Sequence, residues 1–76
     1  PVTNIDLTLK EFELFVLLIK NKNMALSRDY LLETIWGYDY MGETRTIDTH
    51  IQRLRKKLDL TDSIQTVYKI GYRLED

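Results

Sequence analysis

Between Thr44 and Leu58 the chain reads TRTIDTHIQRLRKKL, where five Arg or Lys residues, a His, a Gln and three Thr are interleaved with Ile and Leu. Such side chains offer hydrogen-bond donors and positive charge, which suit phosphate oxygens and base edges better than bond-breaking chemistry. At about 100° per residue, Ile47, Ile51, Leu54 and Leu58 fall in one narrow stripe, the pattern of a helix with one buried face. The opposite side carries Arg45, Thr49, Gln52, Arg53 and Lys56, with His50, Arg55 and Lys57 on the flanks. Asp48 is the only acid in the segment, whose local charge of +4 stands against −1 for the whole chain and leaves −5 to the remainder. A basic face on an otherwise acidic chain is the electrostatic footprint of a nucleic-acid reader; a solvated surface helix is the other reading.

The elements that must hold this helix can be read from their caps. Thr8 is an N-cap, Glu11 three residues on completes a capping box, and Leu7 against Phe12 makes a hydrophobic staple, so a first helix should run over about 9–21. Phe12, Leu14, Phe15, Val16, Leu17, Leu18 and Ile19 are apolar nearly all round it, which predicts burial on more than one side. A membrane or partner helix is the competing reading, against which stand the shortness of the run and its caps. Asn21-Lys22-Asn23 is a polar break, and Met24-Ala25-Leu26 leaves room for a short strand before Ser27 caps a second helix over about 28–36. Leu31, Leu32, Ile35 and Trp36 form its inward face, with Trp36 read as core in preference to a ligand-stacking ring. Gly37 follows, where a left-handed C-terminal cap is expected.

The link from Tyr38 to Glu43 exceeds the three- or four-residue turn of a simple helix-turn-helix. Its tyrosines either face outward as a protein contact or fold back onto the chain. The basic helix should cover about 45–58. Beyond it, 64–74 reads as a two-stranded hairpin, with Tyr72 and Leu74 on one inward face and Gly71 supplying the positive φ of a tight turn.

With 76 residues, 43% hydrophobic and 30% charged, the composition is that of one globular domain spanning 1–76. No apolar run approaches the roughly 20 residues that cross a bilayer, so no membrane partner is expected. The absence of cysteine excludes disulfides and thiolate metal sites and fits a reducing, cytoplasmic setting. No metal or nucleotide motif is present, so no cofactor is implied, and an enzyme is the least supported reading.

The run RTIDTHIQRLRKKL, preceded by SRDYLLETIWG and followed by IQTVYKIGYRL, resembles the DNA-binding effector domain of OmpR/PhoB-type response regulators of bacterial two-component systems, over roughly Leu7 to Leu74. The resemblance implies a winged helix-turn-helix: mainly α with a small β component, three helices, a short strand between the first two, and a C-terminal β-hairpin wing. It also implies double-stranded DNA as partner, at tandem half-sites, and control of transcription. RNA polymerase is a further partner, through the loop containing Tyr38, Asp39, Tyr40 and Met41. A sensor histidine kinase would act only through a receiver domain, of which no residue is present. The family's domain begins with a small antiparallel sheet, and here only Val2 to Asp6 could be its last strand. The chain is therefore expected to be a truncated piece with that sheet largely missing.

A helix laid in the major groove would present Thr49, Gln52, Arg53 and Lys56 to base edges, with Gln favouring adenine and Arg guanine. Arg45, His50, Arg55 and Lys57 would lie near the phosphate rims, and Thr66, Lys69 and Tyr72 of the wing could grip the adjoining backbone. The resemblance supports Arg45, His50, Arg53, Arg55, Thr66 and Tyr72 as DNA contacts, whereas Gln52 occupies a variable position. The departure lies at the wing tip: where the family usually has TVRGxGYR, this chain has Thr66-Val67-Tyr68-Lys69-Ile70-Gly71-Tyr72-Arg73, so Tyr68 replaces the arginine that commonly enters the minor groove. Lysine at 69 restores charge without the planar fork of arginine. A protein-interaction module is the alternative, since winged helices also bind partners and the net charge is acidic.

Overall fold

The computed structural model describes residues 6–37, 40 and 42–75. Helix α1 spans Leu9–Lys20, strand β1 Leu26–Ser27, helix α2 Arg28–Trp36, helix α3 Arg45–Lys57, and strands β2 Ile64–Val67 and β3 Gly71–Leu74 close the chain. The strands form one antiparallel sheet in the order β1-β3-β2, giving the three helices and wing expected of a winged helix. The hairpin is thus extended by a third strand: Leu26 pairs with Tyr72 and Ser27 with Gly71. Val2–Ile5, where a further strand was expected, lie outside the described residues, and Asp6 is not in a strand.

The caps explain where the helices start. The Thr8 hydroxyl accepts from the Glu11 N–H at 3.2 Å while the Glu11 carboxylate accepts from the Thr8 N–H at 3.0 Å. The Ser27 hydroxyl caps α2 by accepting from the Tyr30 N–H at 3.0 Å. Gly37 ends α2 with φ 100 and ψ 158, a positive φ but not the left-handed helical cap expected, and its N–H donates to Glu33 O at 2.9 Å.

The core lies where α1, α2 and α3 meet the inner side of the sheet. Leu14 and Leu18 come from α1, Leu31 and Leu32 from α2, Ile47, Ile51 and Leu54 from α3, and Ile64, Tyr72 and Leu74 from the hairpin. The α3 stripe is sealed completely, with Ile47, Ile51 and Leu54 all at 0% exposure. Helix α1 departs from expectation. Only one of its faces is covered, so Phe12 remains 54% and Ile19 47% exposed, because the other helices and the sheet all pack on the side of Leu14 and Leu18. Phe12 and Leu7 line a shallow apolar depression with Phe15 and Leu58 and are not sealed as a staple. No helix among the described residues is long and apolar enough to cross a membrane.

The hairpin turn also corrects the expectation for Gly71. Lys69 takes the positive φ, at 64, and the Ile70 N–H closes the turn onto Val67 O at 2.9 Å. Gly71 is required for another reason: a Cβ there would stand 2.0 Å from Leu26 O, so any side chain would force β1 and β3 apart.

Among the described residues one carboxylate is fully buried, and it meets a lysine that reaches it from the surface. Glu11 is fully buried, and its Oε1 accepts from Lys57 Nζ at 2.7 Å; the same ammonium donates to Asp6 O at 2.8 Å. Burial alone would raise the Glu11 carboxyl, but the Lys57 hydrogen bond, the Thr8 N–H and the charges of Lys57 and His50 together outweigh it and hold the pKa below the ordinary 4.5. A carboxyl whose pKa is lower folded than unfolded stabilises the fold above the unfolded value, and that contribution is lost as pH falls through the folded pKa. Acid denaturation should therefore begin to draw on this pair below about pH 4.5, and Glu11→Gln should flatten that part of a stability–pH curve. Identical acid limbs in the two proteins would exclude the pair as a source. Leu54→Ala should cost about 2 to 5 kcal/mol in denaturant unfolding; an unchanged midpoint with altered ligand binding would mean that α3 is rotated from the orientation described.

Candidate nucleic-acid interface

Because the apolar stripe of α3 is fixed inward, the outward residues follow from helical geometry. Arg45, Thr49, Gln52, Arg53 and Lys56 are all exposed on the side away from the core. Arg45 makes a loose pair with Glu43 at 3.7 Å, with the arginine side chain 83% exposed. Thr49 turns its hydroxyl back to Arg45 O at 3.2 Å. Gln52, Arg53 and Lys56 have no hydrogen-bond or ion-pair partner among the described residues, so their donors remain available to a ligand. Helix geometry separates 49 from 56 by about 10.5 Å along the axis, enough to span several base edges.

The flanks of α3 do different work, and here the structure separates residues that the sequence grouped together. On the sheet side, Arg55 donates from Nε and Nη2 to Ile64 O at 3.0 and 2.6 Å, and from Nη2 to Thr66 Oγ1 at 2.9 Å. Its guanidinium also lies 5.6 Å from the centre of the Tyr72 ring. Tyr72, nominated for a backbone contact, is buried, and its hydroxyl donates to Asp48 Oδ1 at 2.6 Å. Burial first, then the hydrogen bond and charge of Asp48, push this phenol up to about 12, against the opposing charges of Arg55 and Arg28. The other Asp48 oxygen accepts from Arg28 Nη1 at 3.0 Å, where Arg28 opens α2.

On the far flank, the Lys57 ammonium is directed to α1 by Asp6 O and Glu11, away from the outward ridge. His50 places Nδ1 2.8 Å from Thr46 O, so a proton on Nδ1 makes that a hydrogen bond and leaves Nε2 for another group. Its ring meets Trp36 edge-on with centroids 4.9 Å apart. Trp36 is partly buried against the core, with Lys10 Nζ 5.5 Å from its centre, which agrees with a packing role for this ring. Tyr40 lies 6.0 Å from Trp36 and brings its hydroxyl to 3.4 Å from Thr46 Oγ1, so it folds back toward α3 while staying at the surface. Tyr38, Asp39 and Met41 of the same loop lie outside the described residues.

The wing tip projects three consecutive exposed residues, Tyr68 at 82%, Lys69 and Ile70 at 50%. Lys69 Nζ sits 5.5 Å from the Tyr68 ring. Thr66 is exposed but its hydroxyl is already engaged by Arg55. Sequence reasoning did not single out Arg28 or give Asp48 a role. The signal available was positional: Asp48 and Arg55 are seven residues apart, two turns along one flank of α3.

Comparison with known proteins places this geometry. Residues 2–74 match the family described as transcriptional regulatory protein, C terminal. The heme response regulator HssR of Staphylococcus saprophyticus is 46% identical over 76 residues, covering 96% of this chain and 34% of that regulator. The chain thus spans about a third of such a relative's length. The DNA-binding domain of Bacillus subtilis CssR superposes with a TM-score of 0.86 at 41% identity, covering 92% of this chain and 78% of that one. The DNA-binding domain of Klebsiella pneumoniae RstA, solved in complex with RstA box, gives 0.80 at 34% identity over 95% of this chain and 75% of that one. By this match along almost its full length, the chain belongs to the C-terminal domains of transcriptional regulatory proteins, the winged-helix family that its motifs resemble.

Proposed function

We propose that this chain binds double-stranded DNA in a sequence-dependent manner and thereby regulates transcription, with α3 in the major groove and the wing on adjacent backbone. The observation that carries this reading is the outward ridge of Gln52, Arg53 and Lys56, whose donors have no internal partner among the described residues. The RstA relative was solved with RstA box, which supports the same use of the same fold. In this reading Arg45 meets a phosphate at the start of the helix, while Thr49, Gln52, Arg53 and Lys56 face base edges. A rim phosphate accepts from His50 Nε2–H when both ring nitrogens carry protons, since Nδ1–H is held by Thr46 O. The intact protein would act as a cytoplasmic response regulator on tandem half-sites, with its receiver domain addressed by a sensor kinase and the loop through Tyr40 facing RNA polymerase. No catalytic step is assigned to any residue.

Duplex binding should weaken linearly in log–log salt plots, each displaced phosphate counterion contributing about −0.9 to the slope; a flat response would sink the phosphate-anchoring part of the reading. Gln52→Ala should relax preference at one or two base pairs by about 1 to 3 kcal/mol, whereas Arg45→Ala should weaken all sequences alike. Equal losses on every duplex for both variants would refute the division of roles.

The wing can be tested without disturbing the fold. Lys69 holds a left-handed conformation that glycine adopts without strain, so Lys69→Gly should leave thermal stability unchanged or raise it by up to about 1 kcal/mol. It should also lower the salt slope by about one unit if the lysine meets a phosphate. Tyr68→Arg should raise affinity selectively for sites with A·T-rich flanks, where the narrow groove attracts arginine. Silence of both variants on A·T and G·C flanks would remove the wing from the interface.

A further inference from the structure

We propose that Asp48 and Arg55 are positioning residues that fix the angle between α3 and the wing, so that the helix and the wing tip meet DNA as one rigid pair; this rests on the DNA-binding reading above. The argument is geometric. Asp48 joins α3 to the Tyr72 hydroxyl on β3 and to Arg28 at the start of α2. Arg55, two turns on and on the same flank, joins α3 to the Ile64 carbonyl and the Thr66 hydroxyl on β2. Core packing and the pairing with β1 seat the hairpin, and a single polar attachment to α3 would leave its tilt across that helix unspecified. Two attachments about 10.5 Å apart along the axis fix direction as well as distance.

The chemistry of each group fits this task. Asp48 uses both carboxylate oxygens, one per partner, so neither bond competes with the other. Arg55 presents two N–H donors to one carbonyl and a further contact to Thr66, an arrangement that depends on a planar fork and that a lysine cannot reproduce. Tyr72 stands between the two struts, bonded through its hydroxyl to Asp48 and covered on its ring by Arg55. Both nominal contact residues are thus occupied inside the protein, and Arg55 acts on DNA chiefly through where it holds the wing.

The chain has no cysteine, so a Gln52→Cys, Tyr68→Cys pair can carry two spin labels on α3 and the wing tip, both at exposed positions. The label-to-label distance distribution should be narrow in that background and broaden on adding Arg55→Lys or Tyr72→Phe. The first keeps the charge and the second keeps the buried ring, so neither relies on gross unfolding, and circular dichroism would register any loss of fold. Without labels, the same variants on a selected duplex should lose footprint protection at the flank while Gln52→Ala still changes base preference in the major groove. An unchanged distance distribution would overturn the proposal whether or not DNA binds. Uniform weakening with an intact flank footprint would also overturn it, since that is what loss of one phosphate contact at Arg55 would give. If the unsubstituted protein binds no duplex selectively, the DNA-binding reading itself fails, and the proposal with it.

Discussion

The sealing of Ile47, Ile51 and Leu54 against α1, α2 and the hairpin sets the rotation of α3 about its own axis, and every other property of the surface follows from that rotation. One residue of slip would turn the helix by about 100° and bring Arg55 toward the place of Leu54 and Asp48 toward that of Ile47. Burying a charge there without its partners costs several kcal/mol, so the stripe and the flanking polar contacts select the same orientation. Consistency between apolar pattern and polar satisfaction is what makes one rotation win over its neighbours.

The same constraint divides the cations of α3. Arg55 and Lys57 are committed to internal acceptors, Arg55 to the β2 backbone and Lys57 to Asp6 and Glu11. Arg45, Arg53 and Lys56 are left facing outward. A local charge of +4 read from sequence therefore overstates the charge presented to a phosphate surface. The acid on this helix is likewise not a surface balance to the cations, since Asp48 is spent on Tyr72 and Arg28.

Much of this was legible in the sequence where the determinants are local. Thr8 with Glu11, Ser27, and the four-three-four spacing of the α3 stripe involve residues within a few positions of each other, and each has one dominant physical outcome. The fold class followed from their order together with the three family motifs. What was not legible joins distant residues: Asp48 to Tyr72 across 24 positions and Lys57 to Glu11 across 46. Such contacts exist only once helices are docked, and a charged residue on a helical flank has many possible partners before then. Gly71 was read correctly as special but for the wrong reason, because a turn glycine and a glycine at a close strand approach look alike in sequence. The exposure of Phe12 and Ile19 was missed because apolar density predicts how much surface seeks cover, whereas the packing neighbours decide how much receives it.

The Lys57 ammonium, held by Asp6 O and Glu11 at the opening of α1, has a consequence for cooperativity. It ties the last turn of α3 to Glu11 in the first turn of α1 across 46 positions, so forming it closes a long loop, whose entropy must be offset by the core packing on either side. Such a contact rewards the chain only after the intervening elements are in place. The capping box and the end of α3 are therefore thermodynamically one unit: fraying of the first turn releases Lys57, and release of Lys57 leaves a buried carboxylate that loosens the first turn. Local opening at either point is converted into opening at both, which raises its free energy toward that of global unfolding.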